Sequence, residues 1–348
     1  MQRLHRSLMV RAGFTVSELI VVIAVIGVLI SLIGPAVQAA REKARQATCS
    51  VNLREIGSAL HGYEATYQRL PRGGRMPYIF INPDDPSAGA IARSHSPHLY
   101  LTPFLEQSVV YELADLNAGT FPGFTQIYGL PDPNERVWNT RLAVFLCPSD
   151  PQTSVARNSY RVNLGGAAFP EPPRNYAGKF SGPFTPVDKV PRLSDCTDGL
   201  SNTVAFSERV AGDQNPSAYD PRRDIFDVSD IIDPNRIRFS SNPDDDYVSA
   251  CRRLTNPFPS HYSTAGLYWT PAGLLDTWYN HLLTPNSRIP DCGSTLNVGG
   301  AVVTARSVHP NGVNVLLMDG SVRFVTDSIS APVWLAVGGA QDGEIVQW

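Results

Sequence analysis

Lysine is nearly missing from this 348-residue chain: Lys43, Lys179 and Lys189 are the only three. Arginine supplies the other cations, and the formal net charge is −3, so no basic excess points to nucleic acid. Short catalytic signatures are missing as well. There is no G-x-S-x-G elbow, no H-E-x-x-H pair and no phosphate-cradling glycine loop, which removes the commonest hydrolase, metallopeptidase and nucleotide-binding patterns. The five cysteines, Cys49, Cys147, Cys196, Cys251 and Cys292, contain no C-x-x-C pair, which argues against a zinc site. Tandem repeats and low-complexity tracts are absent, so neither a solenoid nor a disordered tail is indicated.

What is present is concentrated near the N-terminus. An uncharged run extends from Leu19 to Ala40, with one carboxylate, Glu18, at its head. At about 1.5 Å per residue it reaches about 33 Å, enough to cross a hydrocarbon core of about 30 Å. A carboxylate in such a segment costs about 2–3 kcal/mol at the bilayer centre and less near an end, so it normally has a role. Arg3, Arg6 and Arg11 precede the run without any acid, which predicts a single pass with the N-terminus cytoplasmic and the bulk of the chain outside the inner membrane. Arg41, Lys43 and Arg45 on the far side weigh against that orientation, and Glu42 offsets them in part. An ordinary signal peptide cleaved near Val37-Gln38-Ala39 is the blander reading, but the run exceeds the roughly 7–15 residues of a signal core. A plain uncleaved anchor explains neither Gly13-Phe14 nor the position of Glu18.

Gly13, Phe14, Glu18 and Pro35, with the apolar run between them, resemble the processing site of type IV prepilins and type II secretion pseudopilins. The resemblance implies cleavage after Gly13 by a prepilin peptidase and N-methylation of Phe14. Glu18 falls on the family's glutamate, which neutralises the terminal amine of a neighbouring subunit during assembly. Such a pair in a low-dielectric setting would set register between subunits more than it adds stability. Pro35 falls on the family's helix-kinking proline. The implied partners are the inner membrane, the peptidase, and like subunits or other pseudopilins through the N-terminal helix.

Residues 36–68 contain no proline and place apolar side chains at Val37, Ala40, Ala44, Ala47, Val51, Leu53, Ile56, Leu60, Tyr63 and Tyr67, a helical stripe. The helix is therefore expected from Phe14 to Tyr67, about 80 Å, bent at Pro35 and ended by Leu70-Pro71 and Gly73-Gly74. Gly57 and Gly62 lower its propensity and are expected where it packs closely on a sheet. The remainder is proline-rich and lacks long helical periodicity. The expected organisation is a basic leader over 1–13, a transmembrane helix over 14–35, an amphipathic continuation over 36–69 and a β-rich, loop-rich head over 70–348: an α+β, pilin-like chain. The head is long enough to bury a sizeable core.

Within the head, VNVLLMDGSVRFV reads as a hairpin turning on Asp319-Gly320 as a two-residue type I′ loop. That register pairs Leu317 with Val322 and Val315 with Phe324, putting Val313, Val315, Leu317, Val322 and Phe324 on one face. His309 lies nine residues upstream, and this H-X9-DG pattern over 309–325 resembles the ending of prepilin-like proteins carrying the domain of unknown function numbered 1559. Further stretches fit that family in order: Cys49 to Gly57 with Leu60-His61, then Phe145 to Asp150 around Cys147. Ser159-Tyr160 with Asn163 and Gly165 follows, then Asp198-Gly199-Leu200-Ser201-Asn202-Thr203 leading to Glu208, and finally Trp334 and Gly343 to Val346. Leu200 stands where the family often has threonine, and Pro310-Asn311-Gly312 where it often has Gly-Gly. The resemblance spans almost the whole chain and supplies no reaction. It also suggests a bridge between Cys49 and Cys147, both motif positions, stapling helix to head. Cys251 with Cys292 is a second candidate pair; spacing does not determine connectivity, and the odd count leaves at least one thiol unpaired or bridged to another chain.

His309, Asp319 and Ser321 invite a hydrolase reading, but Asp319 is accounted for as a turn residue and a histidine near a hairpin base commonly serves as a hydrogen-bonding group. Asp198 to Thr203 reads as a tight turn before a strand at Val204–Ser207 rather than a ligand loop. The carboxylates Asp224, Asp227, Asp230 and Asp233, with Asp244, Asp245 and Asp246, are candidates for calcium, which some pseudopilin heads bind; none has EF-hand spacing, and solvated surface charge is the alternative. No other cofactor is expected. The reading is a non-enzymatic, prepilin-processed structural subunit of a secretion or surface-filament system. The alternative is a surface-displayed binding module that uses the prepilin helix only as an anchor.

Overall fold

The structure, a computed structural model, describes residues 15–74, 79–82, 85–91, 95–118, 133–150, 157–168, 182–184, 190–232, 243–255, 260–294, 300–341, 343, 346 and 348. Gly13, Phe14 and Asp233 lie outside these. The class is α+β: a long N-terminal apolar helix followed by a globular region with mixed sheets.

Helix α1, Val16–Tyr67, is continuous through Pro35. Its start is a capping box. The Glu18 N–H donates to Thr15 Oγ1 at 3.3 Å, and the Thr15 N–H donates to Glu18 Oε2 at 2.8 Å, satisfying donors that a helix end would otherwise leave open. The helix thus begins two residues later than Phe14, because Thr15 caps it. Pro35 withholds one N–H from the ladder without ending it.

The chain divides into two compact units, one ending at Arg45 and one starting at Gln46. In the first, every described residue from Thr15 to Arg41 is exposed, and this is a helix long and apolar enough to cross a membrane by length and composition. In the second, the remainder of α1 buries Cys49, Leu53, Ile56, Gly57, Ala59 and Leu60. Val51, expected in this stripe, is exposed instead, because it stands two residues from both Cys49 and Leu53 and so faces away from them. Gly57 sits at a close approach: a Cβ there would come within 2.8 Å of Leu316 Cδ1 and 3.4 Å of the Gly320 backbone. Gly62 faces the Phe104 ring rather than a sheet.

The main sheet has five strands in the order β11-β10-β4-β3-β7, with β3 Tyr160–Asn163, β4 Val204–Glu208, β7 Trp278–Tyr279, β10 Gly312–Leu317 and β11 Val322–Thr326. All its pairings are antiparallel except β3 with β7. A second sheet runs β6-β5-β8-β9, from β5 Ile225–Asp227, β6 His261–Tyr262, β8 Asp291–Gly293 and β9 Ala301–Val302. β1 Ile79–Asn82 and β2 Asp85–Ile91 pair with each other. Strands β4 and β10 are buried throughout, which suits their central positions and their Val, Phe and Leu content. A buried ion triad links the two sheets. Asp291 on β8 takes Arg209 Nη2 at 2.9 Å and Arg306 Nη2 at 2.9 Å. Burial opposes its charge, but the two guanidinium groups prevail and hold the Asp291 carboxyl below its ordinary value.

The hairpin forms with a different register from the one expected. Leu316 pairs with Val322, Val315 with Arg323 and Asn314 with Phe324, one residue removed from a two-residue loop. Only Gly320 takes a positive φ, +85°, whereas Asp319 does not. Instead the Asp319 carboxylate accepts the Ser321 N–H at 2.8 Å and its hydroxyl at 2.6 Å, and Leu317 N–H donates to the Ser321 carbonyl. Met318, Asp319 and Gly320 therefore form a three-residue loop ending in a left-handed glycine, the second commonest hairpin connection. The slip places Phe324 and Arg323 on edge strand β11 in contact with solvent, where a charge protects an open strand edge.

Candidate functional site

Segments far apart in the chain meet at one buried point beside α1. Cys49 comes from the helix, Cys147 from the turn Cys147-Pro148-Ser149-Asp150, Glu208 from the end of β4 and His309 from the approach to β10. All four are buried, and their ligand-capable atoms lie within 4.8 Å of one another. Cys49 and Cys147 are joined as a disulfide with Cα atoms 5.1 Å apart. His309 Nε2 lies 3.5 Å from Cys147 Sγ and 3.3 Å from Glu208 Oε1. Glu208 is held from its other side by Asn314, whose backbone N–H donates to Oε2 at 2.8 Å and whose side-chain amide donates to Oε1 at 2.9 Å. The His309 N–H donates to Ser307 Oγ at 3.1 Å, fixing the turn that carries the ring.

The local sequence explains this placement. Asn311 sits at φ +67°, a conformation asparagine tolerates better than most residues, so Pro310-Asn311-Gly312 turns the chain into β10 without Gly-Gly. At the other end of β10, the Asp319 N–H donates to the Leu200 carbonyl at 3.1 Å, and Gly320 sits against Gly57 and the His61 ring. His309 and Asp319-Gly320 therefore pin the two ends of one strand against one helix. Cys49 and His61 are about 18 Å apart along α1, close to the roughly 20 Å span of the six-residue β10.

Other motif residues brace the same region. Asn52 donates to the Leu146 carbonyl at 2.9 Å and to the Tyr160 hydroxyl at 3.2 Å. Asp150 receives the Ala211 N–H at 2.9 Å and pairs with Arg223 at 2.8 Å. Asn163 ties β3 to the Val204 and Gly338 carbonyls. Asp198 Oδ1 accepts the Gly343 N–H at 3.0 Å, Gly199 takes φ +96°, and Asn202 donates to the Asp198 carbonyl, so this stretch is a self-bonded turn leading into β4. A small cleft opens beside the cluster, lined by Cys147, Asp150, Ser159, Glu208, Arg209 and Arg306 among others.

The calcium candidates are not gathered. Asp224 is buried, faces His261 at 3.5 Å and accepts the Asp220 N–H, while burial raises its pKa. Asp227 is occupied by Ser229 and the Tyr262 hydroxyl. Asp230 is exposed in the following turn, and Asp245 is exposed at the head of the helix Pro243–Arg253. Asp244 turns inward and accepts the Ala168 N–H at 2.6 Å. Among the described residues these carboxylates form no convergent cation set; their three-residue spacing follows strand β5 and a turn, which point the side chains in different directions. The second disulfide joins Cys251 to Cys292, leaving Cys196 as a buried thiol that burial pushes up to about 12. The importance of Glu208 was not expected; only its place after the Asp198–Thr203 turn signalled it. Nothing in the sequence foretells Asn314, Arg209, Asp291 or Arg306, because each pairs with a residue distant in the chain.

This is an α+β chain with a membrane-length N-terminal helix, and Cys49, Cys147, Glu208 and His309 meet in one disulfide-centred cluster. The chain belongs to a family described as protein of unknown function (DUF1559), whose model matches residues 38–331 of 348. No curated protein and no solved structure matches it.

Proposed function

We propose that this protein is a prepilin-type, membrane-anchored structural subunit of a secretion or surface-filament system, with its head displayed beyond the inner membrane. The observation that carries the reading is the uncharged, all-round exposed stretch of α1, preceded at the prepilin spacing by Gly13-Phe14 and Glu18. Membership of DUF1559 together with that helix is compatible with a membrane-anchored surface protein. In this reading Glu18, which closes the helix N-terminus on Thr15 within the single chain, exchanges part of that bonding for the terminal amine of a neighbour. The role is structural: Asp319 and Ser321 are spent on a turn, and His309 is engaged by Glu208 and Cys147.

The test is the N-terminal sequence and intact mass of the protein taken from native membranes. A chain starting at N-methylated Phe14 is expected; one starting at Met1 or near Ala40 overturns the proposal. Filament assembly and monomeric display then separate on Glu18→Ala. Loss of filaments by electron microscopy with an intact head supports the subunit, whereas unchanged surface behaviour favours a displayed binding module.

A further inference from the structure

We propose that the four side chains around the Cys49–Cys147 bond form a zinc site when that disulfide is reduced, so that one locus holds helix to head by either a sulfur–sulfur bond or a metal. Two cysteines, one histidine and one glutamate make a soft, borderline donor set that suits zinc rather than calcium or magnesium. They come from four separate segments, and none has the sequence spacing of a zinc motif.

The geometry fits the ion's requirements. For tetrahedral zinc with Zn–S near 2.3 Å and Zn–N or Zn–O near 2.0–2.2 Å, neighbouring ligand atoms stand about 3.3–3.8 Å apart. His309 Nε2 is already 3.5 Å from Cys147 Sγ and 3.3 Å from Glu208 Oε1, so two edges of the tetrahedron exist before any metal arrives. The two sulfurs, drawn together by their bond, need to separate, and every other edge is at most 4.8 Å. Asn314 holds Glu208 from behind and Ser307 fixes the turn of His309, the outer support that metal ligands normally receive. Cys147 and Glu208 face the cleft, which gives the ion a path in. Two thiolates and a carboxylate leave the occupied site with one negative charge, and Arg209 and Arg306 line the same cleft to balance it.

The steps balance. A phosphine reductant takes the oxygen of one water and leaves as its oxide; the two hydrogens of that water go to the two sulfurs. Zinc then replaces the two thiol protons, which pass to solvent.

The test uses full-length protein in detergent, treated with a water-soluble phosphine, freed of reagent, and titrated with Zn2+ or Co2+ alone. The expected result is one equivalent bound per reduced chain and none by the oxidised chain. Cobalt should give sulfur-to-metal charge transfer with strong tetrahedral d–d bands. His309→Ala and Glu208→Gln should each weaken binding at least tenfold, whereas a Cys251→Ser/Cys292→Ser double variant should bind normally. Near-UV circular dichroism of the oxidised variants checks their fold, and the wild-type cobalt spectrum reports histidine and sulfur ligation without any variant. Failure of the reduced wild type to bind one equivalent, or equal binding by His309→Ala, overturns the proposal. Neither result bears on the N-terminus of the chain, so this inference and the prepilin reading fail separately.

Discussion

The two stretches of α1 are the same kind of helix in different surroundings. From Val16 to Arg41 every side chain is exposed, and apolar residues occupy all faces. From Gln46 to Leu60 the buried apolar residues form one stripe, with Val51 outside it, and Leu53, Ile56 and Leu60 are at most 1% exposed. A helix apolar on all sides has no preferred face to pack and calls for a medium that is apolar on all sides. A helix apolar on one stripe calls for a protein surface on that stripe and water elsewhere. The absence of periodicity in one stretch and its presence in the other are therefore both structural information.

At Cys49 the striped half of α1 is tied covalently to the head. The Cys49–Cys147 loop spans 98 residues, and closing a loop of that length restricts the unfolded chain by about 4–5 kcal/mol. Cys49→Ser should lower head stability by about that amount, measured as a fall in the denaturant midpoint followed by tryptophan fluorescence. Cys251→Ser, which opens a 41-residue loop, should cost about 4 kcal/mol and no more. A Cys49→Ser protein as stable as the parent would mean that the helix is held by packing alone.

Packing itself is compared by one substitution in each half. Ile56→Ala removes a side chain with 0% exposure and should destabilise the head by about 2–5 kcal/mol. Ile26→Ala, at a side chain 48% exposed, should leave the same unfolding transition unmoved. Equal losses at the two positions would show that the apolar half also packs within the folded chain, contrary to the proposed lipid-facing role.

Much of this was legible because it is local or periodic. The helix, its apolar and striped halves, its end after Tyr67, and the α+β class follow from charge-free length, 3.6-residue periodicity and proline density. Cys49, Cys147, Glu208 and His309 are each visible in the sequence, but their meeting is not, since four distant segments converge there, Cys147 and His309 alone lying 162 residues apart. The hairpin shows the limit on a small scale. Asp319-Gly320 correctly marks a turn, yet Asp319 bonds Ser321 instead of adopting positive φ, and that one side-chain choice moves the register by a residue. The aspartates show the converse: a regular interval on a strand and turn does not bring the described carboxylates into one cluster.

The head buries titratable groups, whereas the Leu19–Ala40 run of α1 carries none. Burial pushes His98 down to about 4 and His281 down to about 3, so each stabilises the fold above the ordinary histidine pKa of 6.5 and loses that contribution as pH falls. Burial pushes Asp244 up to about 6, against the ordinary 3.8, and its contribution has the opposite sign: fully present below about 4 and lost as pH rises through about 6. Burial raises the pKa of Asp276 too, so the histidine and aspartate slopes oppose each other and the parent protein should show only a shallow profile between pH 4 and 6.5. Asp244→Asn keeps an oxygen for the Ala168 N–H while removing the titration. Relative to this variant, the parent should lose stability between pH 4 and 6 by up to about 1.4 kcal/mol per pH unit. The measurement is a pair of urea unfolding series over that range. Parallel curves would mean that the Asp244 carboxyl ionises as it does in water, and that this corner of the head is open to solvent rather than closed by Ala168.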